Sequence, residues 1–102
     1  MTYLPALRDA ANDADLRGAP LAVYVWLVTN HLDHQEARPV KISGLSFAMR
    51  LRRNAVTRAL RLLCLRGYLE RRYIAREGYV YRAYLVKRSP LVAQNEHTHT
   101  AA

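Results

Sequence analysis

Polar side chains recur at helical spacing in the middle of the chain, at Asn54, Thr57, Arg58 and Arg61. Apolar residues occupy the opposite face of the same segment, so the polar groups are expected to point into solvent. A guanidinium group can form paired hydrogen bonds with a guanine edge or a phosphate, and an asparagine amide can pair with adenine in the same way. Arg52 and Arg53 lie at a tight turn just before this segment, where phosphate contacts are natural.

Positive charge is concentrated in one half of the chain. Residues 40–88 contain thirteen Lys and Arg and only two acids, whereas residues 1–39 contain three Arg and five acids. The formal net charge of the whole chain is +8, and fourteen of its sixteen cations are Arg. A basic half joined to a mildly acidic half favours a polyanionic partner.

Apolar residues recur with a helical period through most of the first two thirds of the chain. The pattern predicts four helices, which run from Pro5 to Asp15, from Pro20 to Asp33, from Gly44 to Arg50 and from Arg53 or Asn54 to Arg66. Ser43 is the expected N-cap of the third helix, and Gly67 is expected to end the fourth. Val40 to Ile42 is predicted to be a short strand.

After Gly67 the pattern changes from helical spacing to alternation. Residues 68–75 and 79–87 are rich in Tyr, Val and Ile, and Arg76-Glu77-Gly78 between them is expected to form a hairpin turn. Residues 89–102 are mostly small and polar after Pro90, which predicts a disordered tail behind one domain spanning residues 1–88. The predicted fold class is α+β, with about four helices, a β-hairpin, and a short strand before the third helix.

Three segments carry a resemblance: Ser43-Gly44-Leu45-Ser46-Phe47-Ala48, Arg53-Asn54-Ala55-Val56-Thr57-Arg58-Ala59-Leu60, and Leu63 with Gly67-Tyr68-Leu69. Together they make residues 42–86 resemble the winged helix-turn-helix of bacterial regulators of the GntR and MarR types. The stretch also resembles related domains of phage and plasmid replication initiators. The resemblance implies that residues 54–65 form the recognition helix and residues 73–86 the wing.

The resemblance implies a sequence-specific regulator of transcription that binds double-stranded DNA, expected to be a repressor in the bacterial cytoplasm, associated with the nucleoid. Two other functions stay open. One is a phage or plasmid protein of replication or partition that binds repeated DNA sites. The other is a winged-helix module that binds protein instead of DNA.

Two residues of the tight turn depart from the family pattern. Arg50 stands where glycine is usual, and Arg52 stands where the family usually has a capping Ser, Thr or Asp. Asn54 could then cap the helix itself, which would remove it from the base-contacting residues.

The residues expected to bind DNA come from the third and fourth helices, the tight turn and the hairpin: Ser43, Arg52, Arg53, Asn54, Thr57, Arg58, Arg61, Arg71, Arg72, Arg76 and Arg82. Wings commonly place arginines along a phosphate backbone or in a narrow minor groove. The alternative for the hairpin is a solubilising face, on which the tyrosines are ordinary strand-forming residues.

Val23, Trp26 and Leu27 form a second apolar face on the second helix. The first helix is short and rich in Asp, so it is expected to cover only part of that face. The sequence therefore predicts a homodimer with these three residues at its interface. Burial of the same residues against the first helix is the alternative.

Other chemistry finds little support in the sequence. There is no glycine-rich elbow around a serine, no phosphate-binding loop and no obvious acid pair, so neither an enzyme nor a cofactor is expected. His31 and His34 lie near Asp33 and Glu36, but they are interpreted as polar residues at a helix C-terminus, without a metal. Cys64 is the only cysteine and is expected to be an inert core thiol. The longest apolar run, residues 21–28, is too short to span a bilayer, so no membrane partner is expected. A cytoplasmic location is expected instead.

Overall fold

The computed structural model describes residues 3–88. The described residues form four helices, α1 (Leu4–Ala11), α2 (Ala19–Asn30), α3 (Ile42–Met49) and α4 (Arg53–Leu65), and three strands, β1 (Arg38–Pro39), β2 (Leu69–Ile74) and β3 (Gly78–Ala83). The α+β class and the count of four helices are as predicted, and the arrangement is roughly compatible with a winged-helix-like fold. The tail predicted for residues 89–102 lies outside the described residues.

The first helix ends earlier than its periodicity predicted. α1 stops at Ala11, and the side chain of Asp13 accepts a hydrogen bond of 3.0 Å from the backbone N–H of Asp15. This bond caps a single 3₁₀ turn, Ala14–Leu16, which buries Leu16. Asp13 therefore starts a new element instead of continuing the helix.

α2 supplies the centre of the core. Val23, Tyr24 and Leu27 are buried, and the helix packs mainly against α4. The ring of Tyr24 lies 5.4 Å from that of Tyr68, which follows α4. Small residues of α1, Ala6 and Ala10, cover a further side of the core. The helix ends at Asn30, one turn before the predicted Asp33.

The sheet is antiparallel, with the strand order β1-β3-β2. The hairpin pairs Leu69 with Ala83 at its base and Ile74 with Gly78 at its tip. β1 adds only two residues to the outer edge of β3, where Arg38 pairs with Tyr81 and Pro39 with Val80. The predicted strand at Val40–Ile42 is wrong, because the paired residues are Arg38 and Pro39, and Ile42 already begins α3.

α3 starts two residues before the predicted start, and Lys41 is its N-cap. Ser43 is inside the first turn, so its predicted capping role is wrong. Leu45 is buried and Met49 packs against the core, whereas Ala48 is exposed. The inward face of α3 is therefore the row of Ile42, Leu45 and Met49, at helical spacing.

α4 follows the sequence prediction closely. Val56, Ala59, Leu60 and Leu63 form its buried face. Arg66 follows the last helical residue, and Gly67 then adopts a left-handed φ of 89°. A residue with a Cβ pays an energetic penalty in this region, so the sequence needs glycine there to turn the chain from α4 into β2.

Candidate nucleic-acid interface

The turn between α3 and α4 is held by short-range hydrogen bonds. The N–H of Leu51 donates to the carbonyl of Ser46 over 3.1 Å, and the hydroxyl of Ser46 donates to the carbonyl of Leu51. Leu51 is partly buried against the core. These contacts fix the direction in which the turn presents its arginines.

Arg50 adopts a left-handed backbone conformation, with φ 55° and ψ 42°. Glycine adopts this region at little cost, whereas an L-residue with a Cβ is disfavoured there by about 1 kcal/mol or more. The side chain of Arg50 is exposed. The turn therefore holds a strained cation at its surface, at the position where the resemblance had led us to expect glycine.

Arg52 is the N-cap of α4, and its side chain makes no capping hydrogen bond. Neither α3 nor α4 has an acid in its first turn. The free N–H groups and the helix dipole make such an N-terminus electropositive, and Arg52 and Arg53 add to that charge. Asn54 is inside the first turn and is not the cap, so the alternative capping role considered for it is wrong.

The outer face of α4 is polar over its first two turns. Asn54, Arg58 and Arg61 are exposed, while Thr57 is only partly exposed at the flank. The next position of the same face, Leu65, is apolar and exposed. The structure thus brings Asn54, Arg58 and Arg61 together on one helix face, as predicted, and places Thr57 nearer to the core.

The arginines of the turn and of the outer face of α4 are called the turn–helix arginines below: Arg50, Arg52, Arg53, Arg58 and Arg61. All five are exposed, and none forms a salt bridge with a carboxylate of residues 3–88. Between Lys41 and Arg61 the sequence contains no acid. Their positive charge is therefore uncompensated in the described part of the chain.

Arg66, just after the end of α4, has a structural role. Its guanidinium lies 3.0 Å from Asp13 and 3.6 Å from Asp15, and the hydroxyl of Tyr68 donates to the same Asp13 carboxylate over 3.2 Å. The Asp13 side chain is only 6% exposed. Burial would raise the pKa of Asp13, but the N–H of Asp15 and the guanidinium of Arg66 together hold it below its usual value.

The arginines of the β-hairpin are not equivalent. Arg82 is turned toward the fold: it lies 3.2 Å from Glu70, donates to the carbonyl of His34 over 3.0 Å, and is only 29% exposed. Arg72 also pairs with Glu70, at 2.9 Å. Arg71 is partly buried, with its guanidinium carbon 4.5 Å from the centre of the Tyr79 ring. All four hairpin arginines were predicted to be candidates for DNA contact, and the donors of Arg82 are used within the chain.

Arg76 is the hairpin arginine that projects most freely. It lies in the turn between β2 and β3 with a left-handed φ of 76°, is exposed, and forms no salt bridge within residues 3–88. Glu77 beside it donates its N–H to the carbonyl of Ile74 over 3.0 Å, which closes the turn. The tip of the hairpin thus presents a second cation on a strained backbone.

The predicted dimer residues separate in the structure. Val23 and Leu27 are 0% exposed and pack within their own chain, so their placement at a subunit interface is wrong. α4 and the neighbouring elements cover the face that the first helix was expected to leave open. Trp26 is partly exposed and lines a groove on the surface.

The side chains weighed for other chemistry have structural partners. His31 Nε2 lies 2.7 Å from the carbonyl oxygen of Pro39, and Asp33 accepts the N–H groups of Gln35 and Glu36 over 2.9 and 2.8 Å. Within residues 3–88, no group of three or more His, Cys, Asp or Glu is arranged to hold a metal. Cys64 is partly buried, and burial raises the pKa of its thiol to about 12, which disfavours the reactive thiolate.

No helix within residues 3–88 has both the length and the apolar character needed to cross a membrane. No protein-family model, no curated protein and no solved structure matches the chain.

Proposed function

We propose that this chain is a sequence-specific double-stranded DNA-binding protein that regulates transcription, acting as a repressor by occluding a promoter. The observation that carries the proposal is the uncompensated charge of the turn–helix arginines. Arginine binds phosphate and guanine through a planar pair of donors, and DNA offers both at a regular spacing. The winged-helix-like order of elements supports the same function.

The dimensions of α4 suit the major groove. An α-helix with side chains is about 10–12 Å wide, and the major groove of B-DNA is about 12 Å wide. Asn54 and Arg61 are seven residues apart on the exposed face, which corresponds to about 10 Å along the helix axis. In the proposed docking, Asn54, Arg58 and Arg61 contact base edges, while Arg50, Arg52 and Arg53 contact phosphates.

The turn between α3 and α4 has features that lower the stability of the fold, and a role in DNA binding would explain them. Arg50 holds a left-handed backbone, Arg52 leaves its helix without a side-chain cap, and both helix N-termini lack acids. Strained or uncapped positions of this kind are expected where function requires them. A phosphate placed against the N-terminus of α4 would accept its free N–H groups and neutralise the added cations.

The proposed contact set adds one residue to the sequence prediction, Arg50, and omits five, Ser43, Thr57, Arg71, Arg72 and Arg82. Arg50 enters it, because the turn exposes this residue beside Arg52. Arg82 leaves it, because its donors are used by Glu70 and the carbonyl of His34. Ser43 leaves it as well, since it shares one side of α3 with Phe47 and has no capping role. On the hairpin, Arg76 is the proposed backbone or minor-groove contact.

The test is a gel-shift titration of the full chain with genomic and random duplexes at several salt concentrations. Each phosphate contact releases counterions, so the logarithm of affinity should fall with the logarithm of salt by about 0.9 per phosphate contacted. Absent binding, or binding that does not respond to salt, would refute the proposal. A genome-wide occupancy map then tests the regulated process: scattered promoters support a repressor, and clustered repeats indicate replication or partition.

Replacing Arg50 with glycine should separate stability from binding. Relief of the left-handed strain is expected to raise the free energy of unfolding by about 1 kcal/mol, measured by denaturant titration. Loss of the cation should weaken binding to all duplexes alike and reduce the salt slope by about 0.9. An unchanged salt slope would show that Arg50 contacts no phosphate.

A further inference from the structure

Phe47 is the most exposed large apolar side chain of residues 3–88, with 88% of its surface accessible. It lies on the side of α3 opposite to Leu45, which is buried in the core. A single exposed apolar residue is common in proteins, so exposure alone assigns no role to it. Phe47, however, lies beside an open groove.

An open groove of about 400 Å³ lies between α2, β1 and the first half of α3. Trp26, Pro39 and Val40 line it, and Gly44 contributes to its α3 wall. Gly44 precedes Phe47 by about one helical turn, so the ring projects beside the Gly44 edge of the groove, while Leu45 lines the groove from the other side of α3. The molecule therefore carries a projecting aromatic ring and an open apolar groove side by side.

The charges at the groove suit an aromatic occupant. Lys41 lines the groove, is exposed, and forms no salt bridge within residues 3–88. The other titratable residue that lines the groove, His31, is hydrogen-bonded to the carbonyl of Pro39. An aromatic ring brings no charge into the groove, and its π face attracts a neighbouring ammonium group.

The exposed face of α2 beside Trp26 offers nothing that would repel a second copy of this basic chain. α2 contains no charged residue. The hydroxyl of Thr29 donates to the carbonyl of Val25 over 2.7 Å, and the amide of Asn30 donates to the carbonyl of Trp26 over 3.0 Å. The cores of protein interfaces are depleted of charge in the same way. In a chain of net charge +8, the α2 part of this surface brings no cation to a contact between two copies.

We propose that two copies of this chain form a twofold dimer in which Phe47 of each copy enters the groove of the other, between Trp26 and Gly44. The contact is isologous, so one pair of surfaces supplies both halves and closes the assembly at two. It explains both the exposed ring and the open groove with one occupant. The dimer does not depend on DNA binding, and its test contains no DNA.

The first measurement is sedimentation of the full chain without nucleic acid, over concentrations from about 1 to 100 µM. The expected result is a monomer–dimer equilibrium. Trp26 is the only tryptophan, so its fluorescence should shift to shorter wavelength as the dimer fraction rises. A chain that stays monomeric throughout would overturn the proposal.

Two variants address the two halves of the contact. Phe47→Ser removes the ring, and Gly44→Gln places a side chain at the groove, where an added Cβ meets only Lys41 Cβ at an ordinary 3.7 Å. Each should weaken self-association by about tenfold or more, with the fold intact by circular dichroism. Tyr73→Ser is the matched control, since it removes another exposed aromatic residue, on the hairpin. Unchanged dimerisation of both variants, or equal loss in the control, would refute the assigned surface.

Mixing the two variants tests the reciprocal arrangement. The Phe47→Ser chain retains an open groove, and the Gly44→Gln chain retains the ring, so the mixture can form one of the two contacts. A heterodimer that forms more tightly than either variant associates with itself should therefore appear in the mixture. Its absence would overturn the pairing of ring with groove and would point instead to contact between the two Phe47 rings.

Discussion

Arg58→Ala is expected to weaken binding to the preferred DNA site by about 1–3 kcal/mol and to relax base preference at one position. Arg58 lies exposed on the outer face of α4 and forms no salt bridge within residues 3–88, so its guanidinium is available for a base edge. Alanine is a good helix former, so the free energy of unfolding should stay within about 0.5 kcal/mol of the original. Binding to a panel of single-base variants of the site measures both effects.

Three further variants separate base contact from other effects. Arg8→Ala removes the same charge from an exposed position of α1 and should leave base preference unchanged. Arg58→Lys keeps the charge but loses the paired donors, so affinity should fall less than preference does. Arg66→Ala, in which the partner of Asp13 is lost, should lower stability and leave preference intact. If Arg58→Ala retains both affinity and preference, the proposed docking of α4 is wrong.

The sequence predicted α4 well because its evidence is local and repeated. Val56, Ala59, Leu60 and Leu63 recur at the helical period, and Gly67 supplies the left-handed residue that ends the segment. The exposed positions of Asn54, Arg58 and Arg61 follow from the same period. A helical period of this kind predicts the structure well, because one face of the helix must be buried.

Elements set by distant partners were not predictable in the same way. β1 is two residues long and exists because Arg38 and Pro39 lie against β3, more than forty positions away. The β-branched residues Val40 and Ile42 suggested the strand instead, yet Ile42 shares the helical row of α3 with Leu45. Asp13 likewise was predicted to lie inside the first helix, whereas its partners Arg66 and Tyr68 come from 53 and 55 positions away.

The sequence predicted that arginines would form the site, but it did not predict which of them would be free to contact a partner. The sequence contains fourteen arginines, but it does not show which of them form salt bridges or hydrogen bonds within the folded chain. Arg66 and Arg82 are tied to carboxylates and a carbonyl, whereas Arg50 and Arg76 project from strained turns. The departure of Arg50 from the pattern of the proteins that the sequence resembles was the one signal in the sequence that pointed to it. The exposed ring of Phe47 had no such signal, because an apolar residue in an apolar helix is expected to be buried.

Gly67→Ala is expected to be the most destabilising single substitution considered for this chain, at about 3 kcal/mol or more. Gly67 has a φ of 89°, and a Cβ on it would lie 1.9 Å from the carbonyl oxygen of Arg88 and 2.7 Å from its carbonyl carbon. The N–H of Arg88 donates to the Gly67 carbonyl over 2.8 Å, so the two backbones are held together. Backbone atoms cannot yield as a flexible side chain can, and the segment after β3 must move away.

Gly78→Ala is the matched control for this prediction. Gly78 has a similar φ of 83°, but an added Cβ meets nothing within 4 Å, so only the backbone penalty of about 1 kcal/mol is expected. The difference between the two free energies of unfolding therefore measures the contact with Arg88. Repeating Gly67→Ala in a chain that ends at Lys87 should reduce its effect to that of Gly78→Ala, because the atoms that the Cβ meets are then gone. Equal effects of the two substitutions in the full chain would show that Arg88 does not pack on Gly67, and that the segment after β3 lies less close to the end of α4 than the hydrogen bond between Arg88 and Gly67 indicates.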